Sequence, residues 1–271
     1  MPSSTRPTAL VTGASAGIGA AFARELATRG HDLVLTARRA ARLQELADQL
    51  IDAHGIRAQV LTHDLADPLA PRRLVDAIEE RGLGIDMLVN NAGYGVPGRF
   101  EASSWGTHED FLQVLLRAPT ELAHRLLPGM LERGHGRIIN VSSLAGHLPG
   151  SAGHTLYAAA KAYMIRFSQS LHLENRSRGI HVCALCPGFT YSEFHDVTGS
   201  RQLVSGMPRW MWMDADSVAR QGLDAIERGD AVYVNGRVNR LIKALSKALP
   251  DSLALHLSSR QSRRYRVLDT E

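Results

Sequence analysis

Directly after its first apolar stretch the chain reads Thr12-Gly13-Ala14-Ser15-Ala16-Gly17-Ile18-Gly19, and a helical pattern begins at once. Glycines at such a place allow a tight turn and a close approach of the backbone to a ligand. An anion can then rest on the helix N-terminus, where unpaired N–H groups and the helix dipole attract it. The turn carries this meaning only with a strand before it and a helix behind it, and both patterns are present.

Short β runs alternate with helical patterns along the rest of the chain, which implies βαβ units and a parallel sheet. The spacing predicts strands at Ala9–Thr12, Asp32–Thr36, Ala58–Thr62, Met87–Asn90, Arg137–Val141, His181–Leu185 and Ala231–Val234. Several are continuously apolar, as strands covered on both faces are. Helices are predicted at Ile18–Arg29, Arg39–His54, Pro71–Arg81, Thr107–Leu131, Thr155–Arg178 and Asp216–Arg228, with Pro119 and Pro128 disturbing the fourth. No repeat or linker interrupts the series. The expectation is an α/β fold: one Rossmann-type, doubly wound parallel sheet spanning residues 1–271, with its core at about 8–236 and a helical extension at about 237–271.

Two segments stand outside this rhythm. Phe189–Met213, ending in Met207-Pro208-Arg209-Trp210-Met211-Trp212-Met213, is long enough for a substrate lid, and its Met/Trp cluster suits either an apolar pocket or ordinary core and oligomer contacts. Arg240–Leu249 is amphipathic and basic, fit to pack on the domain, join a partner or lie on a membrane surface, with packing preferred.

Composition narrows the function classes. With 44% apolar and 21% charged residues, disorder and collagen-like repetition are excluded. The net charge of +4 owes much to Arg260, Arg263, Arg264 and Arg266 near the C-terminus, and no basic stripe with interleaved aromatics points to nucleic acid. The first seven residues lack the apolar stretch of a signal peptide, and no apolar run nears the ~18 residues that span a bilayer. A soluble cytoplasmic protein is expected. Cys183 and Cys186 form a C-x-x-C inside a strand pattern, where they face opposite sides as buried structural residues, and the 12 histidines show no metal-binding spacing.

Chemistry gathers at the strand ends. Where an NAD-preferring fold places an acidic residue after the second strand, this chain has Arg38-Arg39, and Arg38 suits the 2′-phosphate of NADP(H). Asp64, Asn90-Asn91-Ala92-Gly93, Ser142-Ser143 and Pro187-Gly188 follow later strands, on the rim where open α/β sheets bind ligands. Tyr157 and Lys161 stand at i and i+4 and so share one helix face. A lysine cation beside the phenol is expected to favour phenolate and to pull its pKa from ~10 toward working pH.

The ordered set T-G-x-x-x-G-x-G, N-N-A-G, S, Y-x-x-x-K and P-G, running from about Thr8 to about Gly236, resembles the short-chain dehydrogenase/reductase family. The resemblance implies that Tyr157 protonates a carbonyl oxygen as hydride arrives, Ser143 polarises that oxygen, and Lys161 also holds the nicotinamide ribose. Spacing to Tyr157 is one residue longer than usual, which keeps Ser142 as the alternative serine. The resemblance also implies Gly13, Ser15, Gly17, Ile18 and Gly19 at the pyrophosphate and Asp64 and Leu65 at the adenine. Asn91, Ala92 and Gly93 would line the groove, with Pro187, Gly188 and Thr190 on the nicotinamide side.

Two positions depart from the family. Leu115 stands where an asparagine usually offers a backbone carbonyl to a water linked to the lysine, and Ser192 where a threonine is frequent. A leucine can serve if the helix keeps a local bulge, since the water is held by main chain. The implied protein is an NADP(H)-dependent oxidoreductase interconverting a ketone or aldehyde and an alcohol, on an apolar or bulky substrate, assembled as a homodimer or homotetramer. Leu115 leaves a weakly active NADP(H)-binding sensor or scaffold as the alternative.

Overall fold

A computed structural model describes residues 6–193 and 208–262, with side chains through 259. Seven parallel strands form the sheet: β1 (Thr8–Thr12), β2 (Asp32–Thr36), β3 (Ala58–Val60), β4 (Met87–Asn90), β5 (Gly136–Val141), β6 (Ile180–Cys186) and, after a small pair described below, β9 (Val232–Val234). Their spatial order is β3-β2-β1-β4-β5-β6-β9. The chain therefore winds outward from β1 on one side, then returns to place β4 on the other. The crevice above the C-terminal ends of β1 and β4 is the switch point where doubly wound sheets take ligands.

Helices cover both faces: α1 (Gly17–Thr28), α2 (Ala40–His54), α3 (Ala70–Glu79), α4 (Trp105–Leu112), α5 (Ala118–Glu132), α6 (Thr155–Asn175) and α7 (Ala215–Glu227). The pleat sorts the strand residues between two layers. Ala9, Val11, Leu33, Leu35 and Val89 pack with α1, α2 and α7, while Leu10, Val34, Leu88 and Ile138 pack with α3 and α5. Truncating a side chain such as Leu10 to alanine would cost about 2–5 kcal/mol. Cys183 joins the first layer and Cys186 a separate cluster with Leu144 and Val234, so the two free thiols face opposite sides, and burial raises the pKa of both.

The predicted helix Thr107–Leu131 is two helices, α4 and α5, joined by a π-helical turn over Gln113–Arg117. Ala118 N–H bonds Gln113 O, five residues back. Pro119 explains the break: an α-helix would use the amide of residue 119 on the Leu115 carbonyl, and proline has none. Pro128 lies inside α5.

Within the predicted lid, β7 (Thr190–Tyr191) pairs with β8 (Met213–Asp214), and residues 194–207, including Met207, lie outside the described residues. The Met/Trp cluster divides: Trp212 stacks on Tyr191 at 4.8 Å, Met213 packs on the core, and Trp210 is exposed. At the C-terminus α8 (Arg237–Ala248) buries Asn239 and sets Ile242 against the Leu144 cluster. Its Leu241 and Leu245 are exposed. A further helix, α9 (Asp251–Ser262), follows, with Ser258 donating to Gly150 O. Among the described residues no helix is long and apolar enough to cross a membrane, and no cluster of His, Cys, Asp and Glu could hold a metal.

Candidate active site and dinucleotide cleft

The glycine turn is stitched to β4 by the N-N-A-G segment. Thr12 Oγ1 accepts hydrogen bonds from the amides of Asn91 (2.9 Å) and Ala92 (3.0 Å), and Asn91 Nδ2 donates to Thr12 O (2.9 Å) and Gly13 O (3.3 Å). Asn91 is therefore spent on holding the crevice. Gly13 (φ +65°) and Gly17 (φ +55°) use the left-handed region. A Cβ on Gly13 would lie 2.9 Å from Ala92 Cα, and one on Gly19 2.3 Å from Gly13 O, so both glycines are required by space. Gly93 is looser, with Leu115 Cγ 3.6 Å from where its Cβ would be.

Helix α1 opens with no side-chain cap at Ala16, which leaves its first N–H groups available to an anion, while Ile18 packs down onto the core. A dinucleotide pyrophosphate fits this cradle. Ser15 Oγ, on the same turn, accepts from Arg39 Nε (3.2 Å) and Nη2 (3.1 Å). Arg38 is exposed and near enough to Tyr94 for its charge to act on the phenol, with no hydrogen bond or ion pair among the described residues. Asp64 caps its own turn by accepting from Ala66 N (3.0 Å), and Leu65 is buried with Phe111 and Leu115.

Opposite, Leu144 N bonds Pro187 O (2.9 Å), and a Cβ on Gly188 would meet Asn239 Nδ2 at 2.5 Å, so α8 sits directly on the P-G turn. Thr190 is buried and donates to Gly188 O (3.1 Å). Ser192 approaches the glycine turn from this side, its Cβ 3.0 Å from where a Cβ on Gly17 would stand.

At the end of β5 the two serines separate. Ser142 is buried and donates to Lys161 O (2.7 Å), a bond that docks α6. Ser143 heads the next turn, accepts from Ala145 N (3.1 Å), and shares a hydrogen bond with the Tyr157 hydroxyl. Gly146 brings this turn against α6, where a Cβ would lie 2.6 Å from the Lys161 carbonyl carbon. Lys161 is buried, donates to Val141 O (2.8 Å), and holds Nζ 5.6 Å from the Tyr157 ring centre.

The expected depression of the tyrosine pKa is not what the chain alone produces. Burial pushes Tyr157 up to about 12, against a smaller opposing effect of the Ser143 bond. Burial also lowers Lys161 to about 8. Tyr157 is partly buried, and there the phenolate loses more solvation than a lysine committed to the Val141 carbonyl returns. The phenol is thus protonated at neutral pH, the form that can donate a proton to a carbonyl oxygen.

Beside Lys161 a small cavity lined by Thr12, Asn90, Leu115 and Val141 leaves about 10 Å³ for the centre of a water molecule. Tyr157 also borders a second cavity with Val96, Arg99, Phe100, His108 and Leu156, where Phe100 stacks on His108 at 4.5 Å.

Sequence reasoning missed Arg39 and Arg42, whose guanidiniums both reach Glu193. Helix-opening arginines look like solvated surface, and no local pattern reveals a partner more than 150 positions away. The π-turn left one readable signal, Pro119 four residues after Leu115.

Comparison with known proteins converges on this arrangement. Residues 7–202 match the short chain dehydrogenase family. Nodulation protein G of Rhizobium sp. (strain N33) is 36% identical over 232 residues, covering 84% of this chain and 92% of that protein. A short-chain dehydrogenase from Sphingobium yanoikuyae, solved in complex with NADPH, superimposes with a TM-score of 0.80 at 32% identity, covering 98% of this chain and 97% of that one. The bulky-bulky ketone specific alcohol dehydrogenase from Comamonas testosteroni gives 0.74 at 29% identity, over 91% and 96%. With its seven-stranded parallel sheet, glycine turn and Y-x-x-x-K helix, the chain belongs to the short-chain dehydrogenases/reductases.

Proposed function

We propose that the protein is an NADP(H)-dependent oxidoreductase interconverting a ketone or aldehyde and an alcohol, with an apolar or bulky substrate. The observation that carries this reading is Tyr157, hydrogen-bonded to Ser143 and one helical turn from Lys161, in a fold whose glycine turn leads into an uncapped helix N-terminus.

NADPH or NADP⁺ would supply or accept the hydride. Ser143 orients and polarises the carbonyl oxygen, and Tyr157, protonated at neutral pH, delivers the proton. Lys161 holds the ribose and restores the tyrosine proton. The cavity beside Lys161 suits one water, and Pro119 leaves the Leu115 carbonyl without its α-helical donor, so main chain can serve where the family uses an asparagine carbonyl. This weakens the motive for a scaffold. Choice of NADP(H) is supported by Arg38, by the Ser15–Arg39 pair and by the NADPH-bound Sphingobium relative. Phe100 and Leu156 beside Tyr157, with the ketone preference named for the Comamonas relative, support a bulky apolar substrate. Dimeric or tetrameric assembly is part of the same reading, testable by sedimentation.

The test is NADPH oxidation against a panel running from small polar aldehydes to bulky apolar ketones. Turnover concentrated on the bulky apolar members supports the reading. Turnover only on small polar carbonyls removes the substrate assignment, and tight NADPH binding without turnover on any of them favours the sensor.

A further inference from the structure

Near the glycine turn an acidic side chain lies between two arginines at the start of α2. Glu193 Oε2 accepts from Arg39 Nη1 at 2.8 Å, and its Oε1 from Arg42 Nη1 at 2.6 Å. Arg39 meanwhile turns its Nε and Nη2 edge to Ser15 on the glycine turn. One hydroxyl and two guanidiniums from separate βα units thus converge where the second strand ends, the place where the fold family distinguishes a 2′-hydroxyl from a 2′-phosphate. The neighbouring Ser192 packs over Gly17, which sets Glu193 beside the glycine turn by its backbone.

Two guanidiniums around one carboxylate resemble two guanidiniums around a phosphate. Glu193 is weakly held, because all three side chains are about half exposed and exposed ion pairs contribute little. A phosphate monoester carries about −1.5 to −2 charges near neutral pH and more acceptor oxygens, so it would win the site. It would win against resistance, since the carboxylate must leave or stay as a like charge nearby.

We propose that Glu193 is an internal competitor for the 2′-phosphate subsite, a carboxylate that occupies Arg39 and Arg42 and so sets how strongly the protein prefers NADP(H) over NAD(H). The proposal rests on the NADP(H) reading above and adds a specificity-determining residue to it. Its consequence runs against intuition: removing an ion pair strengthens cofactor binding. NADH has no group that needs the site, so its affinity does not depend on Glu193.

The experiment is calorimetric titration of wild type and Glu193→Gln with NADPH and with NADH, at about 50 and about 300 mM salt. The variant should bind NADPH three- to fivefold tighter at low salt and less than twofold tighter at high salt, as screening demands. NADH affinity should stay within 1.5-fold, roughly the scatter expected of an exposed substitution. Equal NADPH affinity in the two proteins would overturn the proposal. Weaker NADPH binding by the variant would also overturn it, and would make Glu193 a positioning residue for Arg39. A wild type that prefers NADH, with a variant that shifts toward NADPH, would refute the cofactor reading and support the competitor. A wild type and variant that both prefer NADH equally would refute both.

Discussion

The proposed nucleotide side and the proposed substrate side of the cleft are built by different rules. On the nucleotide side, backbone meets backbone: Gly13 and Gly19 leave no room for a Cβ, and Asn91 and Thr12 fasten β4 to β1. On the substrate side, side chains meet over wider gaps, with Phe100 stacked on His108, Trp212 on Tyr191, and Trp210 exposed. Close backbone packing admits almost one solution, whereas a wall of stacked rings can change with little cost to the fold. A single scaffold can therefore keep one cofactor and exchange substrates.

The largest effect should come from the tight side. Gly19→Ala places a methyl 2.3 Å from Gly13 O and 2.5 Å from Asn91 Nδ2. It should cost about 3 kcal/mol in chemical denaturation and abolish dinucleotide binding. A variant as stable as wild type would show that this side is no more rigid than the other.

Next comes the buried cation where the two sides meet. Lys161 has a folded-state pKa of about 8 against the ordinary lysine value of 10.5. Between those limits the unfolded chain holds the proton and the folded chain does not, so stability rises with pH. Relative to Lys161→Met, the cofactor-free wild type should gain about 3 kcal/mol from pH 7 to pH 10.5. Parallel stability curves for the two proteins would contradict the assigned burial.

Arg39→Ala, on the polar edge of the nucleotide side, should weaken NADPH about tenfold and NADH less than twofold in the same titrations. On the loose side, Phe100→Ala should raise KM for a bulky ketone about fivefold, leave kcat near wild type, and change stability by less than about 1 kcal/mol, because the ring is 45% exposed. A larger stability loss from Phe100 than from Gly19 would reverse the comparison.

The same contrast explains what the sequence could tell. Strands such as Asp32–Thr36 were legible because burial on both faces demands an unbroken apolar run. The glycine turn was legible because only glycine suits its backbone. The π-turn was not, since a hydrophobic period fits either helix and only Pro119 marked the break. Ser142 and Ser143 could not be separated by spacing, because which hydroxyl docks α6 depends on how β5 enters its turn. Tyr157 was misjudged electrostatically: i, i+4 spacing gives proximity to Lys161 but not the burial that raises the phenol pKa. Arg39 and Arg42, both at the start of α2, meet Glu193 from the segment after β7, a contact no local pattern encodes.

The most direct test of the central claim is the rate of ketone-dependent NADPH oxidation by wild type and Tyr157→Phe, with NADPH affinity measured on both. Loss of the Ser143-bonded hydroxyl should lower kcat by about 10³-fold while NADPH affinity stays within threefold. Undiminished turnover by the phenylalanine variant would contradict the account, because the proton would then come from another group.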